Sequence, residues 1–449
     1  MDLKTGAGTT SESRFAEYVE RLSSLLGHAD RRGPLKAYCT GLILPGERKS
    51  VEPMAARVEP ARVQAAHQSL HHFVAKAEWS DEGVLAEVRA ETLPAITRQG
   101  AIRAWIVDDT GFPKKGKHSV GVARQYCGQL GKQDNCQIAV SLSVANDHAS
   151  LPIAYRLYLP ETWANDAERR AKAGVPEDIV FRTKPEIALD EIQAALSVGV
   201  PTGVVLADAG YGIDTAFRNR LTAMGLTYIV GIQSSIGLWP PGMGPLPPKA
   251  WSGRGRPPSL IRRHPEHRPV PAKELAQSLP ASAWQIVSWR EGTNAPLSSR
   301  FAAIRVRPAH RDYWRSTPRP EEWFLVEWPQ GDNQPTKYWL STLPEDTTLT
   351  DLVDQAKLRW RIERDYQELK QEIGLGHYEG RGWRGFHHHA TLAIAAYGFL
   401  VSERSLIPPS GQRSATFLKA PRLPKDYRPR GSPAPTRTSR RQLDRHSPH

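Results

Sequence analysis

The sequence predicts an α/β protein, a layer of order βββαβαβ and a later helix, interrupted by a mostly β stretch and preceded by helices. Three observations predict it. Apolar residues recur at helical spacing through residues 12–95. From about residue 100 the pattern turns to short apolar runs divided by polar, Gly-bearing stretches. Strand-like and helix-like runs then alternate.

Each element follows from its residues. Phe15, Val19, Leu22 and Leu26, and further on Val63, Leu70 and Phe73, mark the helices of a separate amino-terminal module. The runs IRAWIV (102–107), QIAVSLSV (137–144) and LPIAYRLYL (151–159) read as three consecutive strands of a meander. A helical pattern near 184–198, a buried-type strand GVVLAD (203–208), a helix near 213–224 and the strand TYIVGI (227–232) complete the order. Antiparallel strands followed by parallel ones reached through helices are the elements of a ribonuclease-H-like core, although order alone admits other α/β folds.

The periodicity breaks between 233 and 345. Residues 240–259 hold seven Pro and four Gly, and 284–340 carries Trp-rich strands such as AWQIVSW and EWFLVEW. The domain reading is therefore helical 1–97 for DNA binding or dimerisation, first core part 98–232, β-rich insertion 233–345, last core part 346–404, and a basic Pro/Arg-rich disordered tail 405–449.

Charge points to a polyanionic partner. Sixty Lys+Arg against 47 Asp+Glu give a net charge of +13, and residues 406–449, with eight Arg, two Lys and two Asp, carry +8 of it. Cys39, Cys127 and Cys136 have neither CxxC spacing nor a His at zinc-ligand distance, so neither a disulfide framework nor a zinc site is implied. The amino terminus lacks an apolar signal core and ATLAIAAYGFLV is too short to cross a bilayer, so a cytoplasmic protein without a membrane partner is expected.

Chemistry concentrates in acids. WIVDDTG delivers Asp108 and Asp109 at the end of one apolar run, and VVLADAGYG delivers Asp208 at the end of another. On the helix after 357, Leu358, Ile362, Tyr366, Leu369 and Ile373 form an apolar stripe at 100° per residue, with Arg359, Glu363 and Lys370 along its border. Alone, Arg359–Glu363 is an ordinary i,i+4 pair, and a strand-end Asp is an ordinary turn former. Together, three acids from different elements suit hard divalent cations, two of which can drive in-line phosphoryl displacement. Only one of Asp108 and Asp109 faces such a site from a regular strand.

These residues resemble the DDE transposases of bacterial insertion sequences, in the IS4-like superfamily and the IS701 family. Arg359, Glu363 and Lys370 fit the family's spacing on its last catalytic helix, while Ala356 stands where the family has tyrosine. DDTGFPKKGKHSVGVARQYCGQLGK, LPETW, LADAGYG and GLGHYEGRGWRGFHHHATL are also similar to family blocks, so the resemblance covers roughly residues 13–402. It implies Asp109, Asp208 and Glu363 as catalytic metal ligands, with Asp108 competing for the first place. It further implies two Mg²⁺ or Mn²⁺ ions per site, DNA as partner through terminal inverted repeats and target, and a synaptic homodimer on the nucleoid. Arg359 and Lys370 would clamp phosphate, and Lys114, Lys115, Lys117 and Arg124 form a basic stretch for DNA or a solvated hairpin. A nuclease on the same scaffold and an inactive copy acting as a DNA-binding regulator are the alternatives.

Weaker motifs remain. RGRPP (254–258) reads as a basic loop or a minor-groove arm, and His387, His388 and His389 as a DNA-facing or solvated helix cap. Trp284, Trp289, Trp323 and Trp328 read as core of the insertion, although in related transposases such an insertion sets an aromatic against an unstacked base.

Overall fold

The computed structural model describes residues 10–291 and 296–406. The expected disordered tail lies outside them, apart from its first two residues.

The chain opens with five helices: α1 (Ser11–Ser24), α2 (Arg32–Ile43), α3 (Val51–Val58), α4 (Val63–Ala75) and α5 (Asp81–Gln99). Then come β1 (Ala104–Pro113), β2 (Ala123–Cys127), β3 (Lys132–Ala145) and β4 (Ser150–Leu157). Short α6 (Glu161–Ala164) and α7 (Ala167–Ala173) lead to α8 (Lys184–Ser197), β5 (Val204–Ala207), α9 (Ala209–Gly212), α10 (Thr215–Ala223) and β6 (Tyr228–Ile232). The strand β2 was not legible in the sequence, because ARQYC carries little apolar alternation and an exposed Arg and Tyr.

β3 pairs antiparallel with β1 and, on its other edge, with β2 and β4; β1 then pairs parallel with β5, and β5 with β6. The expected insertion supplies β7 (Gly237–Trp239), β8 (Val270–Pro271), α11 (Ala272–Gln277), β9 (Gln285–Glu291), β10 (Pro296–Pro308), β11 (Glu322–Trp328) and β12 (Lys337–Ser341). These strands continue the same sheet: β12 pairs antiparallel with β6, and β11, β10, β7 and β8 follow outward, with β9 on β10. The result is a mixed α/β molecule built on a 12-stranded sheet.

Local chemistry fixes the helices around it. α8 starts with a capping box, Thr183 accepting from the Glu186 amide while Glu186 accepts from the Thr183 amide. α12 (Leu349–Lys357) is capped by Thr348, and α13 (Trp360–Gln367) follows after a break at Leu358–Arg359. α13 then widens into one π-helical segment, Glu368–Ile373, before α14 (Trp383–Ser405).

The sheet is covered on both faces. Ile106, Leu206 and Ile229 pack with Leu352 of α12, Leu358 of the break, and Ile362 and Tyr366 of α13. Their neighbours Trp105, Val107, Val205 and Val230 pack with Ile187, Ile192, Phe217 and Leu221 of α8 and α10. Alternation along each strand assigns the two sides. α14 is apolar on all sides, and Leu392, Ala393, Ile394, Ala395 and Ala396 are wholly buried. It lies among α2, α4 and α5, so the amino-terminal helices share one core with the sheet. No helix among the described residues is long and apolar enough to cross a membrane.

Candidate active site

Asp108 and Asp208 are brought to the same level by backbone pairing. In the parallel register Val107 faces Ala207, so the next residue of each strand is an aspartate, on neighbouring strands about 4.8 Å apart. Asp208 follows β5 directly and caps α9 by accepting from the Gly210 amide at 2.8 Å through Oδ1. Gly212 lets α9 lie close against β6: a Cβ there would stand 1.9 Å from the Gly231 carbonyl oxygen.

Asp108 lies on the face of β1 covered by α13. Its Oδ2 accepts from Arg359 Nη2 at 2.9 Å, and Arg359 Nη1 reaches Glu363 Oε1 at 3.3 Å. Burial pushes the Asp108 carboxyl up to about 7; Arg359 pulls against that, and Asp208 and Asp109 add to the rise. Burial also opposes the Arg359 charge, yet Asp108, Asp208 and Glu363 together hold its pKa above the ordinary value. One guanidinium thus stands in the field of three acids from three elements. Its Nε is buried without a partner.

Asp109 points the other way. β1 pairs with β3 without a register shift across 104–113, so alternation is unbroken and Asp109 meets Lys184 Nζ of α8 at 2.7 Å. Lys370 does not join Arg359 and Glu363. The π segment carries it onto β1, where Nζ donates to the Gly111 carbonyl at 2.7 Å and to Gln129 at 3.2 Å, above the Phe112 ring. Burial lowers its pKa to about 8. Lys114 donates to the Tyr378 carbonyl at 3.0 Å, whereas Lys115, Lys117 and Arg124 are exposed.

Three side chains around these acids were not read from the sequence as site residues. Tyr366 is buried and shares a 2.7 Å hydrogen bond with Ser141, which sits opposite Asp108 in the β1–β3 register. Tyr211, from the quoted LADAGYG, has a buried hydroxyl with no partner; burial raises its pKa, and Asp109, Asp108, Tyr366 and Asp208 add to the effect. Lys184 carried no signal beyond its place at a helix start.

One motif is used otherwise than expected, and two others as expected. The histidine run is not a solvated or DNA-facing cap: His388 stacks on Trp79 at 3.6 Å between centroids, and His389 lies between Tyr38 Oη at 2.8 Å and the Gly374 carbonyl at 3.1 Å. Both are buried because α2, α4 and α5 pack over α14 there. Trp284 meets Trp328 edge-on at 5.3 Å and Trp289 meets Phe301 at 5.7 Å, as core aromatics do. RGRPP lies in an exposed loop.

Residues 21–296 match the family model described as DDE superfamily endonuclease. The chain belongs to the DDE superfamily of endonucleases. Its matched span holds Asp108, Asp109 and Asp208 and ends before α13. The chain is also similar to a "Probable transposase for insertion sequence element IS701" of Microchaete diplosiphon, 33% identical over 220 residues. That match covers 49% of this chain and 53% of the relative, so the chain spans about half the length of the curated relative it matches. Members of the DDE superfamily typically use divalent metal ions. Among the described residues no three His, Cys, Asp or Glu side chains already stand close enough to hold one. The donors nevertheless suit a hard cation in kind: all are carboxylate oxygens, and Asp108 is a buried acid whose charge needs a cation beside it.

Proposed function

We propose that this DDE endonuclease is a DNA transposase, cleaving the terminal inverted repeats of an insertion sequence and joining the freed 3′-hydroxyls to target DNA. The observation that carries the reading is the Arg359 guanidinium hydrogen-bonded to Asp108 and Glu363 with Asp208 in its field. Support for a ribonuclease-H-like core comes from the strand order β4-β3-β1-β5-β6, antiparallel on one side of β1 and parallel on the other.

In this reading Asp108, Asp208 and Glu363 would hold one or two Mg²⁺ or Mn²⁺ ions, Asp108 taking the place otherwise given to Asp109. Bound there, such cations activate a water or 3′-hydroxyl and stabilise the leaving oxygen of the phosphodiester. Arg359 exchanges its carboxylate partners for the phosphate of the scissile strand, a bidentate acceptor of matching shape. Lys370 sits at the far end of β1, and the exposed Lys115, Lys117 and Arg124 meet backbone phosphates beyond it. A homodimer would bring two element ends together.

Inverted repeats, if they bracket the reading frame as this function requires, would supply the substrate. Purified protein with Mg²⁺ or Mn²⁺ is expected to nick a labelled duplex carrying such a repeat and to produce strand-transfer products, whereas Glu363→Gln binds without cutting. Equal cleavage by both proteins sinks the assignment, and nicking without strand transfer reduces it to a nuclease.

A further inference from the structure

At the far edge of the sheet, the chain leaving β10 makes a tight turn, Arg311–Arg315, that the proposed reaction does not use. Arg311 adopts φ 51°, ψ 30°, and among the described residues it alone has positive φ without being glycine. An L side chain is strained in that left-handed conformation, and such strain persists where surrounding structure over-determines it. Here the restraint is visible. Asp312, next in the chain, is 1% exposed, and its carboxylate accepts from Trp239 Nε1 at 2.7 Å and from Arg263 Nε at 2.9 Å. The Arg315 amide donates to the Asp312 carbonyl at 2.8 Å, and the Arg315 carbonyl accepts from the Ile261 amide at 2.9 Å.

What this rigid turn displays is cationic and aromatic. Trp314 is 62% exposed and Tyr313 42%, their rings edge-on at 5.6 Å. Arg311 lies over the Trp314 ring at 5.2 Å and Arg263 over Tyr313 at 5.1 Å. The turn's single acid is buried and committed to Arg263, and among the described residues Arg311, Arg315 and Arg319 have no carboxylate ion pair. The local potential is positive enough to help depress neighbouring His310, whose pKa falls through burial and then through Arg311, Arg218 and Arg319. Mostly exposed indole and unpaired guanidinium on a strained, preformed turn are a costly arrangement for a surface that meets only water.

We propose that the Arg311–Arg315 turn is a second docking point for duplex DNA, gripping phosphate through Arg311 and Arg315 and packing Trp314 and Tyr313 against the sugar-phosphate wall. It rests on the DNA-processing reading above. Charge selects a polyanion, and position selects a long one: from β1 the order β5, β6, β12, β11, β10 gives about 24 Å at about 4.8 Å per strand, and the register sets the end of β10 at the opposite strand ends from Asp108, roughly 16 Å along, so the separation is roughly 30 Å. That is close to one turn of duplex, about 34 Å. A DNA end held at the carboxylates therefore reaches this edge only if the duplex continues for about a further turn.

Arg311→Gly is the discriminating variant, because glycine is at ease at that φ and the fold is retained while the cation is lost. The probe is a fluorescent 45-base-pair random-sequence duplex titrated with the full chain at several salt concentrations. Arg311→Gly is expected to melt at or above the wild-type temperature yet bind roughly five- to tenfold more weakly, with a salt slope smaller by about one. Arg311→Lys should keep most of the slope, and Trp314→Ala should weaken binding with the slope unchanged. Wild-type affinity and slope in Arg311→Gly overturn the docking turn alone; a wild-type chain that binds no duplex at low salt overturns the reading on which it rests.

Discussion

Between Asp108 and Asp109 lies a single pleat, and it sends one carboxylate to Arg359 and the other to Lys184. Alternation was legible from the sequence; which face would receive α13 was not, because that depends on a helix some 250 residues away in the chain packing on Ile106 and Leu206. The consequence can be measured. Asp108→Asn is expected to reduce metal-dependent nicking roughly 10³-fold or more, as loss of a cation ligand does, whereas Asp109→Asn, which breaks a half-exposed ion pair with Lys184, retains cleavage within about tenfold. The reverse ranking would return the first acid to Asp109. Arg359 is also more than a phosphate donor in waiting. Truncating it to alanine strands Asp108 in a buried position without its cation, so the variant should gain more thermal stability from added Mn²⁺ than the wild-type chain does.

Helices show both how far sequence reasoning reaches and where it stops. The apolar stripe Leu358, Ile362, Tyr366, Leu369 and Ile373 is buried throughout, as its periodicity requires. Regular periodicity nevertheless places Lys370 beside Glu363, and the π segment Glu368–Ile373 instead delivers it to the Gly111 carbonyl; no residue type announces that widening. In α14 the histidine run defeats composition for a similar reason, since its partners Tyr38 of α2 and Trp79 of the α4–α5 connection are distant in the chain. His389 donates from Nε2 to Gly374 and accepts at Nδ1 from Tyr38, so both ring nitrogens are committed in the neutral form. Burial accordingly lowers its pKa to about 4. Because the folded value lies below the unfolded one, near 6.5, the unfolded chain binds the extra proton first, and stability is lost as pH falls from about 6.5 to 4. The loss from this residue is on the order of 3 kcal/mol. His389→Gln, which can still donate and accept but cannot charge, should flatten the acid limb of the melting temperature against pH; an unchanged limb would show that His389 is not what titrates.

At the scale of the whole described fold, the amino-terminal helices pack on the last one. The sequence reading sets residues 1–97 apart, but 97 falls in the last turn of α5, and α5 packs along α14 while Leu22, Leu35, Phe73, Val84 and Val88 share one cluster with Leu392, Ile394 and Tyr397. α14 also rests on β4, so the amino-terminal helices form the outer wall of the core that the sheet completes. Burying one such side chain contributes about 1.5–3 kcal/mol. Losing five therefore costs on the order of 10 kcal/mol, as much as the entire stability of a typical domain. A fragment of residues 101–406 should then show no cooperative thermal transition by circular dichroism and should bind a dye for exposed apolar surface. Co-expression with residues 1–100 should restore the transition, because the missing surface is returned by association. If the fragment melts cooperatively on its own, the helices are a detachable module, and the shared cluster contributes far less than its buried area indicates.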